Sequence, residues 1–145
     1  MTMRAGEQAH LLLVEDSPTD VMFVREALAG LEAAVRLHVV EESRDALAFL
    51  RREPPHTAAA RPGAILLDLN MPARNGHELL ADIKSDRELS AIPVIVFTTS
   101  EAEPDIEAAY RGGANCFVTK PRDFHAFERA VRSITAFWLG VGRCL

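Results

Sequence analysis

The sequence is poor in cysteine, has no excess of positive charge and contains no long apolar run. Cys116 falls in a predicted strand and Cys144 near the C-terminal end, and there are no other cysteines. That argues against a structural disulfide and points to a reducing, cytoplasmic setting. Basic residues number 16 against 21 acidic ones, for a net charge of −5. A general nucleic-acid binder or a binder of anionic membranes carries the opposite balance. No apolar stretch approaches the ~18–20 residues of a membrane-spanning helix. The opening "MTMRAGEQAH" lacks the apolar core of a signal peptide.

What is present is a chain of 145 residues, 48% apolar and 26% charged, enough for one domain with a sizeable core. Short runs rich in Val, Ile and Leu occur at 10–15, 35–40, 63–68, 92–98 and 116–119, the texture of buried strands. Helical spacing separates them: Val21, Val24, Leu28 and Leu31; Ala46, Leu47 and Leu50; Leu79, Leu80 and Ile83; Ile106, Ala109 and Tyr110. Ser17 with Pro18, Ser43 and Asp123 are the expected helix starts, and Gly112–Gly113 the end of the fourth helix. Residues 53–63 read as a solvated connection.

Five βα units in succession predict an α/β fold, (βα)5 and doubly wound, with a parallel sheet. Strands one, three and four are continuously apolar and belong inside. Strand two carries Arg36 and His38 and strand five is short, so both belong at edges. The expected order is 2-1-3-4-5, the flavodoxin-like arrangement.

Sites in such sheets lie at the carboxyl ends of the strands. Strand one ends in Glu15–Asp16, strand three in Asp68, strand four in Thr98–Thr99–Ser100 and strand five in Lys120–Pro121. Strands one and three are neighbours in this order, so three carboxylates gather at one rim. Packed carboxylates repel, and a hard divalent cation such as Mg²⁺ relieves that. Acids, a metal, a lysine and a hydroxyl suit phosphoryl transfer, with Asp68 as the nucleophile. Taken singly, each residue has an ordinary alternative: Asp68 as a strand-end residue capping the next turn, Glu15–Asp16 as capping acids for helix one, Thr98 as a loop entry, Lys120 as a solvated lysine. The five histidines show no metal-ligand spacing, and Cys116 fits a small buried apolar role.

The motifs "VEDS", "LLDLNMP", "FTTS" and "VTKP", in this order, resemble those of response-regulator receiver domains. The resemblance spans 9–135 and leaves 136–145 as an extension of helix five with no separate output domain. It implies that Asp68 accepts phosphate from a sensor histidine kinase. Mg²⁺ or Mn²⁺ is then held by Glu15, Asp16, Asp68 and the backbone carbonyl of Asn70. Thr98, Thr99 and Lys120 border the phosphate, Phe117 is the switch aromatic, and the bond before Pro121 is cis. Phe117 departs from the tyrosine frequent at that place, and Asn75–Gly76 from the usual Asp-Gly; both pairs suit a tight turn. Within the family, "LLVEDSPTD", "GANCFVTKP" and the closing "FW" resemble single-domain regulators of bacterial phytochromes, which implies a bacteriophytochrome as kinase. Output through protein contacts or a histidine phosphotransfer protein is then expected.

Phe127, Val131, Ile134 and Trp138 form one helical stripe near the C-terminus, whereas Phe137, Leu139 and Val141 fall off it. A surface helix shows one apolar face, so the surplus implies a second buried contact. One expectation is a homodimer through helix four, strand five and helix five, with Tyr110, Phe117, Phe137, Trp138 and Leu139 on its face. The other is a tail folded back on its own domain. Two different functions are compatible with the same scaffold: a phosphorylation-independent adaptor, and a small-molecule aspartyl phosphatase. The second normally needs Asp-x-Asp, and position 70 is Asn. The chain is therefore expected to be a signalling phosphoacceptor and not an enzyme acting on other substrates.

Overall fold

The computed structural model describes residues 8–71 and 76–141. The elements alternate without exception: β1 (Ala9–Val14), α1 (Pro18–Ala27), β2 (Val35–Val40), α2 (Ser43–Leu50), β3 (Ala64–Leu67), α3 (Gly76–Ser85), β4 (Val94–Thr98), α4 (Glu103–Arg111), β5 (Cys116–Thr119) and α5 (Phe124–Leu139). The five strands form one parallel sheet of order β2-β1-β3-β4-β5, the expected arrangement. Asn75, Pro72 and Cys144 lie outside the described residues, and so does the expected Asn75–Gly76 turn as a unit.

Strand alternation divides the core into two layers. Leu12, Val14, Ile65, Leu67, Val94 and Val96 face α2, α3 and α4. Leu11, Leu13, Ala64, Leu66, Ile95 and Phe97 face α1 and α5. The central strands β1, β3 and β4 are buried almost throughout, whereas β2 and β5 are partly open. Two-sided burial is why those three strands read as unbroken apolar runs.

The helix starts follow side-chain chemistry at two of three expected places. Ser17 caps α1, its hydroxyl accepting from the Asp20 N–H, and Asp123 caps α5 by accepting from the Ala126 N–H. Ser43 instead is the first helical residue of α2, with Glu42 at the cap, and is itself buried.

The tail corrects one expected interface residue. Leu139 is buried against the domain's own α1/α5 layer, with its methyl beside Gly63. It follows buried Thr135 by four residues and Val131 by eight, so the helix stripe drifts onto it. Gly140 takes a left-handed conformation (φ 69°) and turns the chain so that Val141 is buried in the same layer. Leu139 is therefore not available to a second copy. A further correction concerns Pro121. The Lys120–Pro121 bond is trans; the cis peptide among the described residues is Pro54–Pro55. X-Pro bonds favour trans by roughly 0.5–1 kcal/mol, and Lys120 reaches its acidic partners without cis.

Candidate functional site

Strand register assembles the site. β1 pairs with β3 so that Val14 lies level with Leu67, and the Asp68 N–H donates to the Val14 carbonyl at 3.1 Å. The next residues, Glu15 and Asp68, therefore leave the sheet side by side. β4 pairs with β5 so that Thr98 lies level with Thr119. The Lys120 N–H donates to the Thr98 carbonyl at 2.7 Å, which delivers Lys120 to the same rim.

Glu15, Asp16 and Asp68 each present a carboxylate oxygen, and these oxygens lie within 4.8 Å of one another. Glu15 and Asp68 are buried, while Asp16 is the most open of the three. Burial pushes the Glu15 carboxyl up to about 7; Lys120 pulls it down, and the nearby Asp68 charge pushes it up. Repelling carboxylates at one rim, oxygen donors only, suit a hard divalent cation. The donor set fits such an ion.

The countercharge is Lys120, itself buried. Its Nζ donates to Glu15 Oε1 at 2.5 Å and to Asp20 Oδ2 at 2.7 Å, and stands 3.7 Å from Asp68 Oδ2. Burial alone would lower the ammonium pKa, but the bonds to Asp20 and Glu15 and the surrounding negative charge outweigh it and raise the value. Lys120 is thus a fixed cation. Asp20 was not singled out by sequence reasoning. An acid in the first turn of a helix is an ordinary dipole-stabilising residue, so only the fold reveals its partner.

At the end of β3, Asp68 Oδ1 accepts from the Asn70 N–H at 3.2 Å. The Asn70 side chain donates from Nδ2 to Thr98 Oγ1 at 3.2 Å, so it has work beyond the backbone carbonyl expected of it: it anchors the hydroxyl of fully buried Thr98. Gly76 closes the other side. A Cβ there would sit 2.6 Å from the Asp68 carbonyl oxygen and 2.7 Å from Leu69 Cα, so the start of α3 approaches the β3 end more closely than any side chain permits.

Around this centre, Thr99 is exposed. Ser100 Oγ donates to Asp105 Oδ2 at 2.5 Å, and Thr119 Oγ1 donates to the Ser100 carbonyl at 3.4 Å. Asp105 also stands 3.7 Å from His77 Nε2, which links the starts of α3 and α4. Phe117, partly buried, packs against the α2/α3/α4 layer, and its N–H donates to the Tyr110 hydroxyl at 3.1 Å. Of the remaining residues expected at an interface, Tyr110 and Phe137 are exposed, Phe137 at 78%. Trp138 is partly buried and meets Phe137 edge to face.

The five histidines show no metal-ligand spacing in the sequence. Two of them pair: His10 Nδ1 and His38 Nε2 lie 2.9 Å apart with stacked rings. His10 stands on an inner strand, level with Arg36 and two residues from His38 along β2, and that diagonal leaves no trace in residue spacing.

The family model of the response regulator receiver domain matches residues 11–132. Response regulator Rcp1 of Synechocystis sp. is 40% identical over 129 residues, covering 89% of this chain and 88% of Rcp1. Two solved structures share the fold closely. The phosphorylated cyanobacterial phytochrome response regulator RcpA has a TM-score of 0.88 at 38% identity, covering 94% of this chain and all of that one. The Mn²⁺-bound form of Rcp1 has a TM-score of 0.85 at 39% identity, covering 94% and 98%. With its βα order, its acidic rim and its lysine, this chain belongs to the response regulator receiver family, a family of signalling proteins.

Proposed function

We propose that Asp68 accepts a phosphoryl group from the phosphohistidine of a sensor kinase. The observation that carries this reading is the placement of the buried Asp68 carboxylate among Glu15, Asp16 and Lys120 at the carboxyl ends of β1, β3 and β5. An Asp68 oxygen attacks phosphorus, an O–P bond forms and the N–P bond to the donor imidazole breaks, leaving an acyl phosphate on Asp68.

Glu15, Asp16, Asp68 and the Asn70 carbonyl would hold Mg²⁺, with Mn²⁺ able to take its place. The cation supplies charge neutralisation on the phosphoryl oxygens. Lys120 adds a fixed positive charge, and the Thr98 hydroxyl, released from Asn70, donates to the phosphoryl group. Thr99, exposed beside it, borders the same space. The phosphoryl group brings about −1.5 to −2 charges and three acceptors to this rim. Phe117 and the α4–β5–α5 face carry the change outward through protein contacts or a phosphotransfer protein.

The kinase is assigned to the phytochrome class and the setting to the cytoplasm. RcpA is a phytochrome response regulator, which supports the kinase class, and Rcp1 binds Mn²⁺ in one structure, which supports the cation. No helix among the described residues is long and apolar enough to cross a membrane. A homodimer through Tyr110, Phe117, Phe137 and Trp138 is supported by the exposed Phe137 and Tyr110; a monomer in light scattering at micromolar concentration, with and without phosphorylation, would sink it. For the central reading, Asp68→Asn mixed with a phosphorylated phytochrome kinase takes no label while wild type does. Equal labelling of the two overturns the assignment.

A further inference from the structure

Lys120 is shared, and the sharing is uneven. Its Nζ is within hydrogen-bond distance of Glu15 (2.5 Å) and Asp20 (2.7 Å) but 3.7 Å from Asp68. An ammonium has three donors, and two are already spent on acids other than the proposed phosphoacceptor. Asp20 is free to do this because of its local setting. It stands third in α1, where an acid commonly turns back to the N–H of the capping residue. That N–H, on Ser17, is instead taken by Glu15 Oε2 at 3.3 Å. The Asp20 side chain, a quarter exposed, is thereby released to reach Lys120 across the rim.

We infer that Asp20 is a positioning residue that holds Lys120 back from Asp68 and so limits how long a phosphoryl group persists there. The inference rests on the proposed phosphorylation of Asp68 and deepens it. A phosphoryl group on Asp68 must draw Lys120 away from Asp20, or share it, and the carboxylate of Asp20 also adds repulsion to the incoming negative charge. Hydrolysis returns the system to the present arrangement: water attacks phosphorus, the bond between phosphorus and the Asp68 oxygen breaks, the Asp68 carboxylate re-forms and inorganic phosphate leaves with the protons of the water. Lys120 then falls back to Asp20. Asp20 acts only through the lysine and by its charge, and touches no reacting atom.

The test uses the full chain as wild type, Asp20→Asn, Asp20→Ala, Asp20→Glu and Asp68→Asn. Each is phosphorylated with acetyl phosphate and Mg²⁺, desalted, and followed for loss of acid-labile phosphate. Affinity for beryllium trifluoride, a phosphoryl mimic, is titrated in parallel. Asp20→Ala and Asp20→Asn are expected to keep phosphate longer and bind the mimic more tightly, each on the order of threefold to tenfold for one removed competing charge near the surface. Asp20→Glu, which keeps the charge, returns towards wild type. Mg²⁺ affinity without phosphate stays within about threefold, whereas loss of a group supporting a metal ligand costs about tenfold or more. Faster decay or weaker mimic binding in Asp20→Ala, or unchanged values in both neutral variants, overturns the inference. A tenfold loss of Mg²⁺ affinity also overturns it and makes Asp20 part of the metal site. If wild type labels no better than Asp68→Asn, the phosphoacceptor reading fails first and takes the inference with it; if wild type labels and the Asp20 variants match it, only the inference fails.

Discussion

Replacing Lys120 by Met removes what is, among the described residues, the one cation bonded into a rim where four carboxylates converge. Lys120 bonds Glu15 and Asp20 at 2.5 and 2.7 Å and faces Asp68 at 3.7 Å. The Lys120 side chain is 5% exposed and that of Glu15 2%, so solvent cannot take over the screening. Removing one member of a buried pair costs about 3–5 kcal/mol where the partner stays charged and uncompensated, which for Glu15 is the case above its raised pKa. Urea unfolding should show that loss as a lower midpoint at unchanged slope. The loss should also depend on pH in a defined direction. Burial already pushes Glu15 up to about 7 in the intact protein, and without Lys120 it rises further. An acid whose folded pKa is raised binds protons in the native state that the unfolded chain has released. The stability of the variant therefore falls as pH rises from the ordinary glutamate range through the folded value. The deficit against wild type should be larger at about pH 8 than at about pH 6. Adding Glu15→Gln to the variant should restore roughly half of the loss or more, since it removes the stranded charge. A loss below about 1 kcal/mol, or no recovery on adding Glu15→Gln, would refute the idea that this lysine is held by buried charge.

Three further outcomes follow from the packing. Gly76→Ala places a Cβ 2.6 Å from the Asp68 carbonyl; it should destabilise by about 1–3 kcal/mol and weaken Mg²⁺ binding in calorimetry by shifting the end of β3. Lys84→Met removes three hydrogen bonds, to the Ser90 and Ile92 carbonyls and to Asn115 Oδ1, each near 3.0 Å. A loss of about 2–4 kcal/mol in urea unfolding is expected, with phosphorylation of the folded fraction unchanged. His38 has its pKa lowered by burial first and then by His10 and Arg36, so the unfolded chain binds its proton more readily. Stability should decline as pH falls below the ordinary histidine range, and His38→Gln should flatten that decline in a series of unfolding curves.

How far the residues alone reveal this architecture depends on the kind of interaction. β1, β3 and β4 are legible because burial on both faces leaves an unbroken apolar signature, and the polar interruptions Arg36 and His38 mark β2 as an edge. The gathering of Glu15, Asp16, Asp68, Thr98 and Lys120 at one rim follows from that strand order, because each closes or follows a strand. Side-chain partnerships formed across the fold are not legible in the same way. Asp20 looks like any acid opening a helix until the register of β5 brings Lys120 within 2.7 Å. The Asn70 amide reaches Thr98 across 28 positions. Leu139 departs from the stripe traced through Trp138, yet a small rotation along α5 and the left-handed turn at Gly140 bury it with Val141.

The most direct test of the central claim is to locate the phosphate. Wild-type protein treated with acetyl phosphate and Mg²⁺ is digested under conditions that preserve acyl phosphates, and the labelled peptide is mapped by mass spectrometry. The account predicts a single hydroxylamine-sensitive phosphate on Asp68, lost when EDTA removes the cation beforehand. A phosphate on any other residue, or equal labelling with and without the cation, would contradict it.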